Sequence, residues 1–589
     1  MAQTKVQWQA WDEQAFARSR DEDKPVLLGI SAVWCHWCHV MDRQTYSNDA
    51  VVSYINEHYI PVRVDNDERP DINERYNQGG WPTTAFLTPE GEILAGATYV
   101  PPDEMLRMLQ QIDHYYHANR EAISQRVAEM IYQQEQHGEA QGNGTTTDLS
   151  GEIVSGVLTD IEARFDSRYG GWASPGNPTK FPHPSTLDLV IAQRYRSGES
   201  FWAEVLNKTL DGMANYGMYD QVAGGFFRYS TDRQWQLPHF EKMLEAHAGL
   251  VRNYVSAAQV LDAPRFADVA RSAIGYLLST LSDTEQGGFY GSQDADEEYY
   301  ALNAAGRKGM AAPFVDTRIY TNWNADMVDT ALYAAAALDN PVLAEHALRT
   351  IERLLAELRA SDGAMRHNLD FNGNPQGEGM LTDQASMGHA LLAAYSYSGD
   401  RAYLDAATTL ADWLQANLYD TEQGGFYDRN AAQSETLGRL RYPVKSLTEN
   451  AHAADFLLWL YHLSGEQSYR DMALATLRAF TEEYRNYGYF ASGYALVVEH
   501  ASSEPTHIII VGDPNAADTQ ALAVAAIGTY QPWKLVQILD PAAEADASLI
   551  EQRGYPSSAA ATAYVCIGQT CSAPISDVAS LRQGLRFEV

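Results

Sequence analysis

Long hydrophobic runs are missing from this chain of 589 residues, and no apolar stretch reaches the roughly eighteen residues that a helical bilayer span needs. Membrane-spanning helices are thereby excluded. Positive charge is scarce, with 42 Lys and Arg against 77 Asp and Glu and a formal net charge of −35. A chain so acidic repels phosphates and anionic lipid, so neither nucleic acid nor a membrane surface is expected as a partner, and solubility is the plain consequence of the charge. Cysteine is scarce too. Four in the whole chain are too few for a disulfide scaffold, so a closely spaced pair points to catalysis or metal binding. Met1 to Trp11 holds one lysine and no apolar run, which reads as no secretory signal peptide and a cytoplasmic location.

Core-forming material is plentiful. Hydrophobic residues make up 45% of the chain, with 35 tyrosines and 12 tryptophans, and the length exceeds what one core supports, so roughly two to four domains are expected. The opening segment reads as helix, strand, helix, strand, helix, two strands, helix, with strands at Val26 to Ile30, Tyr59 to Val64, Thr83 to Leu87 and Ile93 to Tyr99. Pro101-Pro102-Asp103 starts a helical run over Met105 to His137, and the polar, Gly- and Thr-rich stretch Gly138 to Ser150 reads as a linker.

From about residue 150 to 500 the pattern becomes long amphipathic helices punctuated by a repeat. DTEQGGFY occurs at Asp283 to Tyr290 and again at Asp420 to Tyr427, with weaker copies around Gly171, Gly225 and Gly488 and with Asp362-Gly363 filling the gap. These six markers lie 54 to 75 residues apart, and two helices fit between most of them, which predicts six helical hairpins in series. Hairpins of this kind bury their apolar faces only against one another, and closure into an (α/α)6 toroid is expected, with the first unit short by one helix. After Pro505, the strand Thr506 to Val511, a helix over Ala517 to Ile527 and the strand Lys534 to Leu539 predict a small α/β appendage. The Val511-Gly512-Asp513 turn lacks a dinucleotide fingerprint, and no cofactor is expected there. The expected domains are therefore 1–140, 141–504 and 505–589.

Trp34-Cys35-His36-Trp37-Cys38 follows a buried strand and opens a helix, the placement that activates a thiol. Unpaired backbone N–H groups and the helix dipole favour a thiolate at Cys35, His36 adds charge or a hydrogen bond, and Cys38 resolves the mixed disulfide. Trp81-Pro82-Thr83 at the entrance to a later strand is expected to bring a cis-proline opposite the cysteines. Together these features predict an α/β thioredoxin fold. Cys35 to His39 also spells a haem-attachment pattern and includes zinc-ligand types, but the former needs a loop outside the cytoplasm and the latter a second knuckle. No metal is expected.

Beyond CHWCHVM (Cys35 to Met41), the chain carries VDNDERPDI (Val64 to Ile72), GGWPTTAFLTPEG (Gly79 to Gly91), KFPHP (Lys180 to Pro184), YDQVAGGFFRYSTD (Tyr219 to Asp232), PHFEKML (Pro238 to Leu244), FYGSQDAD (Phe289 to Asp296), TNWNADM (Thr321 to Met327) and QTCSAP (Gln569 to Pro574). In these stretches it resembles the spermatogenesis-associated thioredoxin-like family, large proteins that join a thioredoxin domain to a six-hairpin glycosidase-like toroid. The resemblance implies this architecture over nearly the whole chain. Two departures stand out: Trp34 replaces a smaller polar residue, and Glu297 to Lys308 is shorter than the family's corresponding segment.

The loops of the toroid carry Asp220, Arg228, His239, Glu241, Lys242, Asp294, Asp296, Trp323 and Asn324, a mixture suited to a saccharide. Aromatic faces stack on pyranose rings, paired carboxylates serve glycoside cleavage, and a histidine serves epimerisation. Against this, Glu241 and Lys242 begin a helix, where an acid is favourable in any case, and Asp294 with Asp296 suits loop backbone N–H groups or a divalent ion. Cys566 and Cys571 are too far apart for a helix-start redox pair and read as buried thiols rather than a second exchange pair. The expected function is thiol–disulfide exchange at Cys35 and Cys38, tuned by Trp34, His36, Trp37, Trp81 and Pro82, on a disulfide-containing protein or a small thiol. Two alternatives stand beside it: a sugar hydrolase or epimerase in the toroid, and a scaffold that delivers partner proteins.

Overall fold

The computed structural model describes residues 5–138, 148–173, 176–430, 436–556 and 560–587, so residues 139–147 of the expected linker lie outside it. Two compact units emerge. The first contains Met1–Thr145 together with Asp294–Asp296 and Asp428–Val444; the second contains Thr146–Gln293, Glu297–Tyr427 and Lys445–Val589.

In the first unit, α1 (Glu13–Glu22) leads through Lys24-Pro25 into β1 (Val26–Ser31), followed by α2 (His36–Gln44), α3 (Asp49–His58), β2 (Ile60–Asp65), α4 (Pro70–Tyr76), β3 (Thr83–Leu87), β4 (Ile93–Ala97), α5 (Pro102–Ala118) and α6 (Arg120–Gly138). The sheet order is β2-β1-β3-β4, parallel between β1 and β2 and antiparallel elsewhere, as in a thioredoxin fold. Alternation along the strands sends Leu27 and Phe86 to one face with Met41, Val51, Ile55 and Leu109, and sends Val26, Leu28, Ala85 and Leu87 to the other with Phe16, Ile72 and Tyr76. Two helical runs read as continuous are each divided. Asn48 accepts the N–H groups of Ala50 and Val51 and so caps α3 separately from α2, and the long run after Pro102 breaks at Asn119. Segment 428–444 contributes Leu440 to the Tyr76 core, and its Asp428 and Arg429 pair with Arg75 at 2.9 Å and Asp71 at 3.2 Å, all four side chains buried.

The second unit begins with α7 (Gly151–Arg164), α8 (Pro184–Ser197), α9 (Ser200–Asn215), α10 (Leu244–Val260) and α11 (Pro264–Thr280), then two one-turn helices, α12 (Glu297–Tyr300) and α13 (Ala304–Arg307). It continues with α14 (Thr321–Leu338), α15 (Pro341–Glu357), α16 (Leu381–Ser398), α17 (Arg401–Asn417), α18 (Leu447–Ser464), α19 (Gln467–Arg478) and α20 (Ser492–Ser502). Helices α8, α10, α14, α16, α18 and α20 pack each against the next, and α20 returns to α8, closing an inner ring. Outer helices α9, α11, α15, α17 and α19 each pack on the inner helix that precedes them in the chain. The sixth outer position is filled by α7, the first helix of the unit, against α20, the last helix of the ring. That pairing supplies the helix missing from the sequence reading.

The octapeptide repeat proves to be a loop lock. At the second copy Gly424 N–H donates to Asp420 O and Asp420 N–H to Gly425 O, both at 2.9 Å, with φ of 73° and 78° at the two glycines, a region that disfavours other residues. Asp420 Oδ1 accepts the N–H groups of Glu422 and Gln423, and Lys445 Nζ bridges Asp420 Oδ2 and Gly424 O, each at 2.7 Å. The same arrangement recurs at Asp283 with Arg353, at Asp220 with Lys242 and at Asp166 with Lys180. The aromatic residue that follows is fixed by the fourth residue of the next inner helix: Asn450 accepts from Phe426 N–H at 2.6 Å and donates to Phe426 O at 3.0 Å, and Asn324 does the same for Phe289.

The C-terminal residues form a sheet ordered Lys534–Leu539, Thr506–Val511, Thr562–Ile567, Thr570–Cys571, with the first pair parallel and the rest antiparallel. Helix α21 (Ala517–Gly528) packs on α14 and α16; α22 (Glu544–Arg553) and α23 (Val578–Phe587) follow. The last two strands were not expected from the sequence.

Candidate functional site

Strand β1 ends at Ser31, and the chain passes through Ala32-Val33-Trp34 into α2, whose N-cap is Cys35. Cys35 Sγ accepts the backbone N–H of Cys38 at 3.1 Å, and the two sulfurs form a disulfide with Cα atoms 5.2 Å apart. Once reduced, the Cys35 sulfur meets a free helix N-terminus and a donor already aimed at it, both of which favour the thiolate. Trp34 Nε1 donates to Asp67 Oδ2 at 2.6 Å, Trp81 Nε1 donates to Asn73 Oδ1 at 3.1 Å, and the two indoles meet edge to face at 5.7 Å. The Trp81–Pro82 peptide is cis, and Pro82 and Cys38 line the same small cavity. Cys35 and Cys38 keep 4% and 2% of their surface, whereas Trp37, packed at 5.1 Å from Tyr99, is 46% exposed and forms the accessible edge. His36 is half-buried with its ring edge-on to Trp37.

One neighbour was not singled out from sequence for this role. His39 Nε2 lies 2.9 Å from Val33 O and 3.1 Å from Asp294 Oδ2, and the bond to Asp294 raises its pKa above the ordinary value against the opposing effect of burial. Asp294 and Asp296 thus belong to the first unit, with Asp294 beside the helix that carries the cysteines.

The second unit encloses a cavity of about 1040 Å³ inside its helical ring. Of the loop residues expected there, Arg228 and Trp323 line it; Asp220, His239, Glu241, Lys242 and Asn324 do not. Asp220 and Lys242 are one copy of the repeated lock. Burial would raise the Asp220 carboxyl, but Arg307 at 2.7 Å and Lys242 at 2.8 Å bring it down to about 2. Asn324 ties Phe289 to α14, and His239 stacks on Tyr229 at 4.5 Å with Glu241 3.5 Å from its ring nitrogen.

The cavity is lined instead by stripes one helical turn apart on the inner helices: Glu245, Gly249, Arg252 and Ser256 on α10; Asn322, Asp326, Asp329 and Tyr333 on α14; Thr382, Ser386 and His389 on α16; Thr448, His452, Asp455 and Trp459 on α18. A polar chain crosses it. Asp326 lies 3.7 Å from His452, the rings of His452 and His389 stack at 4.4 Å, His389 lies 3.9 Å from Asp455, and Asp455 meets His500 at 2.8 Å. Confinement pushes Asp326 and Asp188 up to about 6 and His389 down to about 4. At Asp326, 39% of the side-chain surface stays open to the cavity, so water tempers the shift without reversing it. Tyr530 to Lys534 also line the cavity, where Trp533 stacks on His500 at 4.2 Å and Lys534, with its pKa lowered by burial to about 7, lies 5.9 Å from the Tyr333 ring. Polar residues at i, i+3, i+4 and i+7 within otherwise apolar helices were the sequence signal for this site.

Residues 1–135 match the family described as "Thioredox_DsbH: Protein of unknown function, DUF255". Human spermatogenesis-associated protein 20 is 26% identical over 98% of this chain and 89% of its own length. Along nearly its whole length the chain is similar to spermatogenesis-associated protein 20. The Caenorhabditis elegans "Uncharacterized protein B0495.5" is 32% identical over 50% of this chain and 42% of its own. Among solved structures, cellobiose 2-epimerase from Spirochaeta thermophila aligns with 60% of this chain and 96% of its own at 15% identity and a TM-score of 0.49. An N-terminal thioredoxin-like domain joined to a six-hairpin helical ring is therefore the architecture of this chain. Among the described residues no helix is long and apolar enough to cross a membrane.

Proposed function

We propose that the chain is a thiol–disulfide oxidoreductase of the thioredoxin type that uses Cys35 as nucleophile and Cys38 as resolving thiol. The observation that carries this reading is the position of Cys35 Sγ as N-cap of α2, accepting the Cys38 N–H. In the reduced protein the Cys35 thiolate attacks one sulfur of a substrate disulfide, whose other sulfur leaves as a thiolate. Cys38, as its thiolate, then attacks Cys35 Sγ and expels the second substrate sulfur, so two electrons pass to the substrate, whose thiolates take up two protons. Trp34 and Trp81, each pinned by a hydrogen bond, hold the walls around the pair, and the exposed Trp37 offers an apolar surface to a disulfide-containing protein or small thiol. The reduced wild-type protein should reduce insulin or a disulfide dye, Cys35→Ser should abolish this, and Cys38→Ser should hold its client covalently. An inactive wild type would overturn the reading.

A second reading concerns the ring. Its cavity combines the ring faces of Trp323, Trp459 and Tyr333 with Asp326, Asp455, His389 and His452, a lining suited to stacking and hydrogen-bonding a saccharide. An acid pushed up beside a histidine pushed down is also an acid–base pair fit for proton transfer in hydrolysis or epimerisation. A saccharide panel should give a thermal shift or turnover that Asp326→Asn and Trp323→Ala remove. A blank panel would favour a non-catalytic scaffold.

A further inference from the structure

The strand Thr562–Ile567 turns through Gly568-Gln569 into the two-residue edge strand Thr570–Cys571, and the register sets Cys566 directly opposite Cys571. The two are joined as a disulfide with Cα atoms 4.0 Å apart. This corrects the sequence reading of two buried thiols: Cys566 keeps 4% of its surface, but Cys571 is exposed.

A structural staple would accomplish little here. The hairpin is already closed by its ladder, and a bridge across so short a loop removes little freedom from the unfolded chain. What surrounds the sulfurs is chemically more pointed. Tyr555, just beyond α22, packs its ring 4.7 Å from that of Tyr564, which shares a strand face with Cys566, and this contact holds its hydroxyl 3.8 Å from Cys566 Sγ and 4.0 Å from Cys571 Sγ. No helix begins at this pair, unlike at Cys35, so nothing there prepares an attacking thiolate. The arrangement instead leaves Cys571 on the exposed edge, open to attack from outside, and sets one hydroxyl donor within reach of both sulfurs, slightly nearer that of buried Cys566.

We propose that Cys566–Cys571 is a second redox-active pair, opened by a small external thiol at the sulfur of the exposed residue Cys571, with the Tyr555 hydroxyl stabilising the Cys566 thiolate that leaves. The incoming thiolate bonds to Cys571 Sγ while the Cys566–Cys571 bond breaks, and its electron pair goes to Cys566 Sγ, which accepts the Tyr555 O–H. A second molecule of the thiol then attacks the sulfur of the first, releases the small disulfide and leaves Cys571 as a thiolate. Each cysteine takes one proton from water. In all, two small thiols are oxidised to one disulfide and the protein pair is reduced by two electrons.

Glutathione is the probe. Wild-type full-length protein is incubated with it under native conditions, quenched with iodoacetamide and mapped by peptide mass, so that Cys35–Cys38 and Cys566–Cys571 are followed in separate peptides and each assignment fails or stands alone. The pair should open in the folded protein, with the transient glutathione adduct on Cys571. Tyr555→Phe, checked for an unchanged melting temperature, should open roughly tenfold more slowly, the loss expected for one hydrogen bond to a charged sulfur. A pair that stays closed until denaturant is added, an adduct on Cys566, or an unchanged rate in a folded Tyr555→Phe protein would overturn the proposal.

Discussion

His39 and Asp294 stand 255 residues apart in sequence and 3.1 Å apart in space, and no local pattern announces such a pair. The imidazole sits on the helix that carries both cysteines, and Asp294 keeps it protonated to a higher pH than an isolated histidine. Because the folded-state pKa is raised, the contact stabilises the protein fully below the ordinary histidine pKa near about 6.5 and is lost as pH rises through the raised value. Proton NMR titration should show the His39 resonance shifting at a higher pH than an unperturbed imidazole, and Asp294→Asn should move that midpoint down. A midpoint unaffected by Asp294→Asn would exclude the carboxylate as the cause. Cys35, Cys38 and the cis Trp81–Pro82 peptide, by contrast, were legible because everything that defines them lies within one strand-to-helix junction or one loop.

Elements explain why the ring loops misled the sequence reading. Asp220, Lys242 and Asn324 stand out in sequence because they recur beside Gly-aromatic loops, and they recur because four of the six hairpin loops share the same lock. The four Asp–cation locks and the paired Asn324 and Asn450 are repeated for packing, whereas Asp326, His389 and His452 differ from helix to helix and face the cavity. Repetition marked structure, and irregularity at helical spacing marked the pocket. Asn450 is fully buried and makes three hydrogen bonds, to Phe426 N–H, Phe426 O and Ser446 O. Asn450→Ala leaves buried backbone groups of Phe426 unpaired and should cost about 2 kcal/mol in denaturant unfolding, while Asn450→Asp, which keeps the acceptor but not the donor, should recover part of it. Equal stability of Asn450→Ala and wild type would refute the tying role of this side chain.

At the scale of the whole second unit, the deciding contact joins the first and last helices of its ring. The repeat spacing made six hairpins legible, but the partner of α20 is α7, more than three hundred residues earlier, and periodicity within a window cannot find such a pairing. Closure also changes how damage spreads. In an open solenoid each repeat touches only its neighbours, so a weakened end frays alone. In a closed ring, the first and last helices are an internal seam. Helix α7 buries Ile153, Val157 and Ile161 along one stripe, to 4%, 3% and 0% exposure. Ile161→Ala should cost about 3 kcal/mol through the cavity it leaves. If the ring unfolds as one body, hydrogen exchange in Ile161→Ala should quicken in α20 and α8 beside the seam and also in α14 across the ring. Acceleration confined to α7 would mean that the end helix frays as in a solenoid, and that the cavity lining does not depend on the seam.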